Sequence, residues 1–359
     1  MSAQIRGQAP PEAARVMICD DSAVIRGALA RMLDGEPGVR VVARVANGRQ
    51  ALEEVRRQSI DVVVLDIEMP ELDGMQALPL LLQADPGLRI IMASTWTTRG
   101  ADIALRALRL GAADYVPKPG VAAIADDSFR RELAAKIVGL ARLRRSPARV
   151  SATAAALRPP PAQAAALLAI GSSTGGPQAL FTLVQGLGRD VPVPVVLTQH
   201  MPPAFTPLLA AHLDKLGALP SAEARDGEAL RPGHLYVAPG DRHLLLHGAP
   251  GRLQARLGDS PPENFCRPSV DPMLRSAVSA CGGRVLVLML TGMGHDGLAG
   301  TNAVIAAGGA ALAQDEATSV VWGMPGAIAQ AGLCHKVLPL PQLAAAALDL
   351  LRPRRIAAA

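Results

Sequence analysis

Asp20 and Asp21 in CDDS and Asp66 in VLDIEMP are carboxylates standing at the ends of short apolar runs, and Ser94 in MAS and Lys118 in YVPKP stand at the ends of two more. Three carboxylates brought together repel one another unless something positive sits among them, and hard oxygen donors suit Mg²⁺. Lys118 can neutralise a phosphoryl oxygen and Ser94 can donate a hydrogen bond to one. The chemistry open to this set is therefore capture of a phosphoryl group. A single Asp at such a place reads as a helix cap; an ordered set on four apolar runs reads as a site.

A second group lies further along. Residues 171–176, GSSTGG, follow the apolar run ALLAI. A Walker-type phosphate loop needs G-x-x-x-x-G-K-[ST], and no lysine stands at the required place; a dinucleotide loop needs G-x-G-x-x-G, which the spacing does not match. Gly171 to Gly175 does satisfy G-x-S-x-G between a strand and a helix-forming segment, PQALFTLVQGL. That is the setting of a nucleophile elbow and selects Ser173 rather than Ser172. The competing reading is a capping serine in a glycine-rich turn.

A serine hydroxyl needs a base. Seven histidines are available. His212 in a helix-like segment and His234 in a turn read as surface residues. His243 and His247 are spaced i, i+4, but HLLLH reads as a strand and offers no further metal ligand nearby. His335 falls near the tail strand. His200 ends the run VPVVLTQ and so points out at the same sheet edge as Ser173, with an ordinary loop histidine as its alternative. Asp296, in LTGMGHDG after VLVLML, is a carboxylate able to hold an imidazole in one tautomer. Its flanking glycines let backbone N–H groups approach a developing oxyanion, whereas the bland reading is an Asp-Gly turn.

These residues need elements to present them. RVMIC, VRVVARV, DVVVL, LRIIMAS and ADYV are short and mostly aliphatic or β-branched, and read as five strands. Amphipathic stretches such as NGRQALEEVRRQ lie between them, with Asn47 as N-cap. Strand–helix alternation implies a doubly wound parallel sheet, where ligands bind at the carboxyl ends of the strands. RRSPARVSATAAALRPPPAQ, residues 144–163, has no apolar period and reads as linker. Beyond it ALLAI, VPVVLTQH, a strand-rich patch from HLYVAP to RLQARLG, and RVLVLML imply a second doubly wound α/β domain with a β-hairpin insertion. The expected division is 14–140, a linker over 141–163, and 164–352.

The bulk composition limits the alternatives. Half the residues are apolar, enough for two cores. The N-terminus lacks the charged head and apolar stretch of a signal peptide, and no run approaches a membrane span, so a cytoplasmic protein is expected. Cys19, Cys266, Cys281 and Cys334 are scattered, without a C-x-x-C pair, and are expected to be free thiols. Much of the net charge of +5 falls at Arg142, Arg144, Arg145, Arg149 and Arg158. With two Trp, two Tyr and four Phe, little is available for stacking nucleic-acid bases.

DDS, DIEMPELDG, MAS and the KP pair resemble a bacterial response-regulator receiver domain over about residues 14–140. The resemblance implies a flavodoxin-like (βα)5 fold with Asp66 as phosphoacceptor and Asp20, Asp21 and Asp66 as Mg²⁺ ligands. It also implies Ser94 as switch hydroxyl, Tyr115 as the aromatic that changes rotamer, Lys118 as a further switch residue and a histidine kinase as phosphodonor. STGG, TQHMPP, PSVDPMLRSA and LTGMGHDG resemble the catalytic domain of the chemotaxis protein-glutamate methylesterases over about 164–352. That resemblance implies Ser173 as nucleophile, His200 as base, Asp296 as its orienter and the Met293 backbone N–H as an oxyanion donor. It implies no cofactor for the ester chemistry, methylated chemoreceptors as substrate, deamidation of receptor glutamines as a second activity, and a monomer peripheral to membrane receptors. His295 occupies a variable slot beside Asp296. An unphosphorylated receiver lying over the catalytic strand ends would hold activity down. A DNA-binding response regulator is disfavoured by the absence of a helix-turn-helix pattern; a non-catalytic scaffold and an esterase of another substrate are the remaining alternatives.

Overall fold

The computed structural model describes residues 13–94, 97–118, 127–145, 157–161, 163–189 and 191–352. The chain forms two compact units, residues 1–94 with 110–145, and 146–359 with the segment 95–109.

In the N-terminal half, β1 (Ala14–Cys19), α1 (Ala23–Leu33), β2 (Val39–Val45), α2 (Gly48–Arg57), β3 (Val62–Asp66), α3 (Gly74–Ala84), β4 (Arg89–Ser94), α4 (Thr98–Arg109), β5 (Asp114–Pro117) and α5 (Asp127–Arg145) follow one another. The strands pair in parallel in the order β2-β1-β3-β4-β5. This is the flavodoxin-like order, with its switch point between β1 and β3. Every residue of β3 is buried, as a strand covered on both faces requires. Local signals set the helix starts. Asn47 Oδ1 accepts from Gln50 N at 2.9 Å, as its sequence position predicts, and Asp73 with Gln76 forms a capping box that starts α3 just beyond Asp66.

One boundary differs from expectation. The linker was expected from residue 141, but α5 continues to Arg145. Its last turn is held by tertiary ion pairs. Arg145 meets the buried carboxylate of Asp61, and Arg144 meets Asp85 at 2.8 Å and Asp61 at 3.6 Å. Part of the apparent basic linker is thus the end of a helix; Arg149 and residues 146–156 lie outside the described residues. Arg158 also has partners: its N–H donates to Cys334 O at 3.0 Å and its Nε to Gly332 O at 2.9 Å.

The C-terminal half runs β6 (Leu167–Ser172), α6 (Gly176–Leu187), β7 (Val195–Gln199), α7 (Thr206–Asp214), β8 (Ser221–Glu223), β9 (Leu235–Val237), β10 (His243–His247), β11 (Gln254–Gly258), α8 (Val270–Cys281), β12 (Val285–Met289), α9 (Leu298–Ala306), β13 (Ala310–Gln314), α10 (Met324–Gln330), β14 (Lys336–Leu338) and α11 (Leu340–Leu351). Seven strands form a parallel sheet ordered β14-β13-β12-β6-β7-β9-β8. β6 is central, flanked by β7 on one side and β12 on the other. The chain winds outward from β6 in one direction and returns to wind the other way, so the topological switch point lies between β6 and β12. All residues of β6, β7, β12 and β13 are buried. Each fully buried Val, Leu or Ile there contributes roughly 1.5–3 kcal/mol relative to exposure. The expected hairpin insertion is β10–β11, a separate antiparallel pair; Leu246 N donates to Ser276 Oγ at 2.9 Å, tying it to α8. His212, expected at the surface, is only 2% exposed because it lies on the packed face of α7.

Candidate phosphoacceptor and hydrolytic sites

The ends of β1, β3, β4 and β5 bring together Asp20, Asp66, Ser94 and Lys118 as the sequence predicts. Asp20, Asp66 and Ser94 are buried and Asp21 is exposed. Lys118 Nζ lies 2.6 Å from Asp66 Oδ2 and 3.6 Å from Asp20 Oδ2, and among the described residues these two buried oxygens have no other partner. Burial pushes the Asp66 carboxyl up to about 6, against the hydrogen bond and charge of Lys118. Burial likewise opposes the Lys118 ammonium, yet Asp66, Asp20 and Asp21 together hold it above its ordinary value. One ammonium therefore serves three carboxylates. Oxygens of Asp20, Asp21 and Asp66 lie within 4.8 Å of one another. A hard donor set with under-partnered buried oxygens fits Mg²⁺. Tyr115 is buried in β5, with Lys136 Nζ 5.3 Å from its ring centroid and donating to its carbonyl at 2.7 Å.

In the second half, Ser173, His200 and Asp296 follow β6, β7 and β12, three adjacent strands. The two serines of GSSTGG separate cleanly. Ser172 is fully buried and its Oγ donates to Gln199 Oε1 at 2.6 Å, whereas Ser173 is half-buried at the strand end. Gln199 Nε2 donates to the carbonyls of Ser173 at 2.9 Å and His200 at 3.1 Å, stapling the two strand ends together. A side chain at residue 176 would place its Cβ 2.0 Å from Gln199 Oε1, so glycine is required where α6 begins.

Asp296 is 2% exposed and accepts hydrogen bonds from several directions. Its Oδ2 takes His200 Nε2 at 2.7 Å and Val270 N at 2.6 Å. Its Oδ1 takes Ser269 Oγ at 2.7 Å, Asn264 Nδ2 at 2.9 Å and Asp271 N at 3.1 Å. The start of α8, in the stretch PSVDP, thus points its N–H groups at the carboxylate. Burial alone would raise Asp296, but His200, Val270 N and Ser269 outweigh it and pull the carboxyl down to about 2. It is an anion throughout the physiological range. Burial also opposes charging of His200, and Asp296 and Cys266 reverse that and hold the ring above its ordinary value. Because Nε2 faces the carboxylate, Nδ1 is the nitrogen left for proton transfer. Among the described residues no hydrogen bond joins Ser173 Oγ to His200 in this state.

The segment 291–293 lies against the Ser173 turn. Ser173 N donates to Thr291 O at 3.0 Å, and Thr291 Oγ1 donates to Thr174 O at 2.9 Å. Thr291 N donates to Gln314 Oε1 at 2.8 Å. A Cβ on Gly292 would stand 2.9 Å from Ser173 Cβ and 2.5 Å from Met324 Sδ. The backbone N–H groups of Met293 and Thr174 find no acceptor among the described residues. Thr174 immediately follows the serine, the position whose N–H commonly assists at a nucleophile elbow, so that signal was present in the motif itself. Asn264, Ser269 and Gln199 were not singled out in sequence. The first two are brought to Asp296 only by the packing of α8, and Gln199 could have been found as the neighbour of His200. His295 is exposed, is not a hydrogen-bond partner of Asp296, and with Asn264, Asp271 and Leu298 lines a cleft of about 400 Å³.

The arrangement can activate a serine hydroxyl against a carbonyl. Residues 168–347 match the CheB methylesterase family and residues 16–125 the response regulator receiver domain. A protein-glutamate methylesterase/protein-glutamine glutaminase of Paramagnetospirillum magneticum is 51% identical, covering 92% of this chain and 94% of that protein. One of Azospirillum brasilense is 50% identical, covering 94% and 92%. The crystal structure of the Thermotoga maritima CheB methylesterase catalytic domain is 40% identical over 52% of this chain and 99% of that domain, with a TM-score of 0.51. Matched along almost its whole length, this chain belongs to the CheB methylesterase family, with a response-regulator receiver domain preceding the methylesterase domain.

Proposed function

We propose that Ser173, His200 and Asp296 form the hydrolytic triad of a chemotaxis methylesterase that cleaves glutamate methyl esters on chemoreceptors. The observation that carries this reading is the 2.7 Å His200 Nε2–Asp296 bond formed at the ends of strands flanking the one that presents Ser173. Ser173 Oγ attacks the ester carbonyl and gives its proton to His200 Nδ1. The oxyanion is met by the N–H groups of Met293 and Thr174. His200 returns the proton to the departing methanol, and water cleaves the acyl-enzyme by the same base to leave glutamate. The same steps applied to a receptor glutamine release ammonia, the second activity in the names of the relatives.

Regulation is assigned to the receiver. Asp66 accepts a phosphoryl group from a histidine kinase; Asp20, Asp21 and Asp66 would hold Mg²⁺, which would supply charge neutralisation for the transfer. Lys118 and Ser94 receive the phosphoryl oxygens, and Tyr115 changes rotamer in response. Phosphorylation adds about two negative charges and relieves restraint on the catalytic domain. The protein works as a monomer in the cytoplasm, at the surface of membrane receptors. Among the described residues no helix is long and apolar enough to cross a membrane.

The test is methanol release from methylated receptor membranes by wild type and Ser173→Ala, each with and without a small phosphodonor. Ser173→Ala should stay folded and lose turnover by about 10⁶-fold. Wild-type turnover in that variant refutes the nucleophile assignment. Folded wild-type protein that releases no methanol under any condition points to the scaffold reading or to another ester.

A further inference from the structure

The turn Glu263–Cys266 reaches both remaining members of the triad. Glu263 N donates to Cys266 O at 3.1 Å and Cys266 N to Glu263 O at 2.9 Å. Asn264 and Phe265 between them have φ of 52° and 63°. Asn tolerates the left-handed region, but a phenylalanine there is a strained outlier. Its ring contributes nothing in return, being fully exposed. What the turn achieves is placement. Asn264 Nδ2 reaches Asp296 Oδ1, and Cys266 Sγ stands 3.4 Å from His200 Nδ1, the nitrogen not engaged by Asp296. Strain kept at such a point is evidence for a role.

We propose that Cys266 is a positioning residue for the base: its thiol shares a proton with His200 Nδ1, so that Asp296 and Cys266 grip opposite ends of the imidazole and Ser173 engages Nδ1 only when the thiol gives way. The proposal rests on the assignment of His200 as the base. No bond is broken other than S–H; the proton moves between sulfur and nitrogen, leaving either a neutral pair or a thiolate beside an imidazolium. Asp296 behind the ring favours the second form, because a carboxylate stabilises an imidazolium. The titratable groups that meet the ring are Asp296 at Nε2 and Cys266 at Nδ1. Asp296 favours its protonated form, and Cys266 does so as the thiolate, so the sulfur acts as a brake on the base as well as a stop for the ring. Cys19, Cys281 and Cys334 are buried, so among the cysteines Cys266 is the one open to a reagent.

The experiment is an NMR titration of the His200 ring in the full-length chain, for wild type, Cys266→Ala and Cys266→Ser, beside the rate of iodoacetamide alkylation of Cys266 at one fixed pH in wild type and His200→Gln. The ring midpoint should fall by about one pH unit in both cysteine variants, because neither alanine nor serine supplies a thiolate. The acid limb of kcat/KM should move down with it, and the serine variant, which keeps a hydrogen bond to Nδ1, should hold kcat better than alanine. In wild type iodoacetamide should alkylate Cys266 faster than in His200→Gln, because an imidazolium beside the sulfur favours the reactive thiolate. An unchanged ring midpoint in both folded cysteine variants overturns the proposal, even if their rates fall. The titration and the alkylation need no substrate. An unproductive triad would appear instead as wild-type protein without methanol release.

Discussion

Asp296 shows how one side chain is made to do a single job. Five hydrogen-bond donors converge on it, from His200, Ser269, Asn264 and the first N–H groups of α8, and each favours the anion. The anion in turn favours imidazolium, so the His200 ring in the intact enzyme is neutral only above its ordinary range. The sign for activity follows. A base must be neutral to accept the serine proton, so the acid limb of kcat/KM should lie above about 6.5. Asp296→Asn removes the anion, and the limb should shift to lower pH while kcat falls by about 10³–10⁴-fold through lost ring orientation. A pH–rate profile of the variant checks both. A limb that stays in place would mean that Asp296 does not govern the base.

At the scale of elements, the proposed catalytic geometry is a property of loops clamped to strand ends. Gln199 staples β6 to β7 through the Ser173 and His200 carbonyls, while Thr291 and Gln314 fix the 291–293 segment against the Ser173 turn. Gly292 lies where this segment meets the serine, with no room for a methyl group. Gly292→Ala should therefore push the segment away from Ser173 and displace the Met293 N–H. A donor misplaced by about 1 Å can cost about 10²-fold in rate. The expected result is a folded variant with kcat reduced by about that factor and a smaller change in KM, read from initial rates and circular dichroism. Unaltered kcat would remove the 291–293 segment from the oxyanion site. α5 teaches the same lesson away from catalysis, since its last turn is retained by carboxylates distant in the chain rather than by its own propensity.

For the whole molecule, the two proposed sites should differ in their need for a cation. Asp66 and Asp20 have a single ammonium between them and under-partnered buried oxygens, so transfer of a phosphoryl group to Asp66 should require Mg²⁺. The proposed hydrolytic site instead activates Ser173 with His200 and Asp296 and meets the oxyanion with backbone N–H groups. Removing divalent cations with a chelator should thus abolish stimulation of methanol release by a small phosphodonor and leave basal release intact. Asp66→Asn should give the same pattern with Mg²⁺ present. Stimulation that survives in either case would sink the assignment of Asp66, and a basal rate lost to the chelator would show that the ester chemistry itself uses a metal.

Much of this was legible in the order of residues. Short apolar runs ending in Asp, Ser, His or Lys fixed which side chains stand at the carboxyl ends of parallel strands, because strand periodicity and turn chemistry are local. Asn47 capped α2 as read, and G-x-S-x-G distinguished Ser173 from Ser172. What local pattern could not decide was who meets whom. The adjacency of β12, β6 and β7 joins residues more than a hundred positions apart, and the approach of Asn264, Ser269 and Cys266 to the triad depends on how α8 and the strained turn before it pack. The same holds for His212, drawn inside by α7, and for the last turn of α5, retained by Asp61 across 84 residues. The sequence alone determined the chemical inventory and the edge on which it is displayed; tertiary packing decided which nitrogen of His200 faces Asp296 and which faces a thiol, because that choice rests on side chains that meet only once the sheet is assembled.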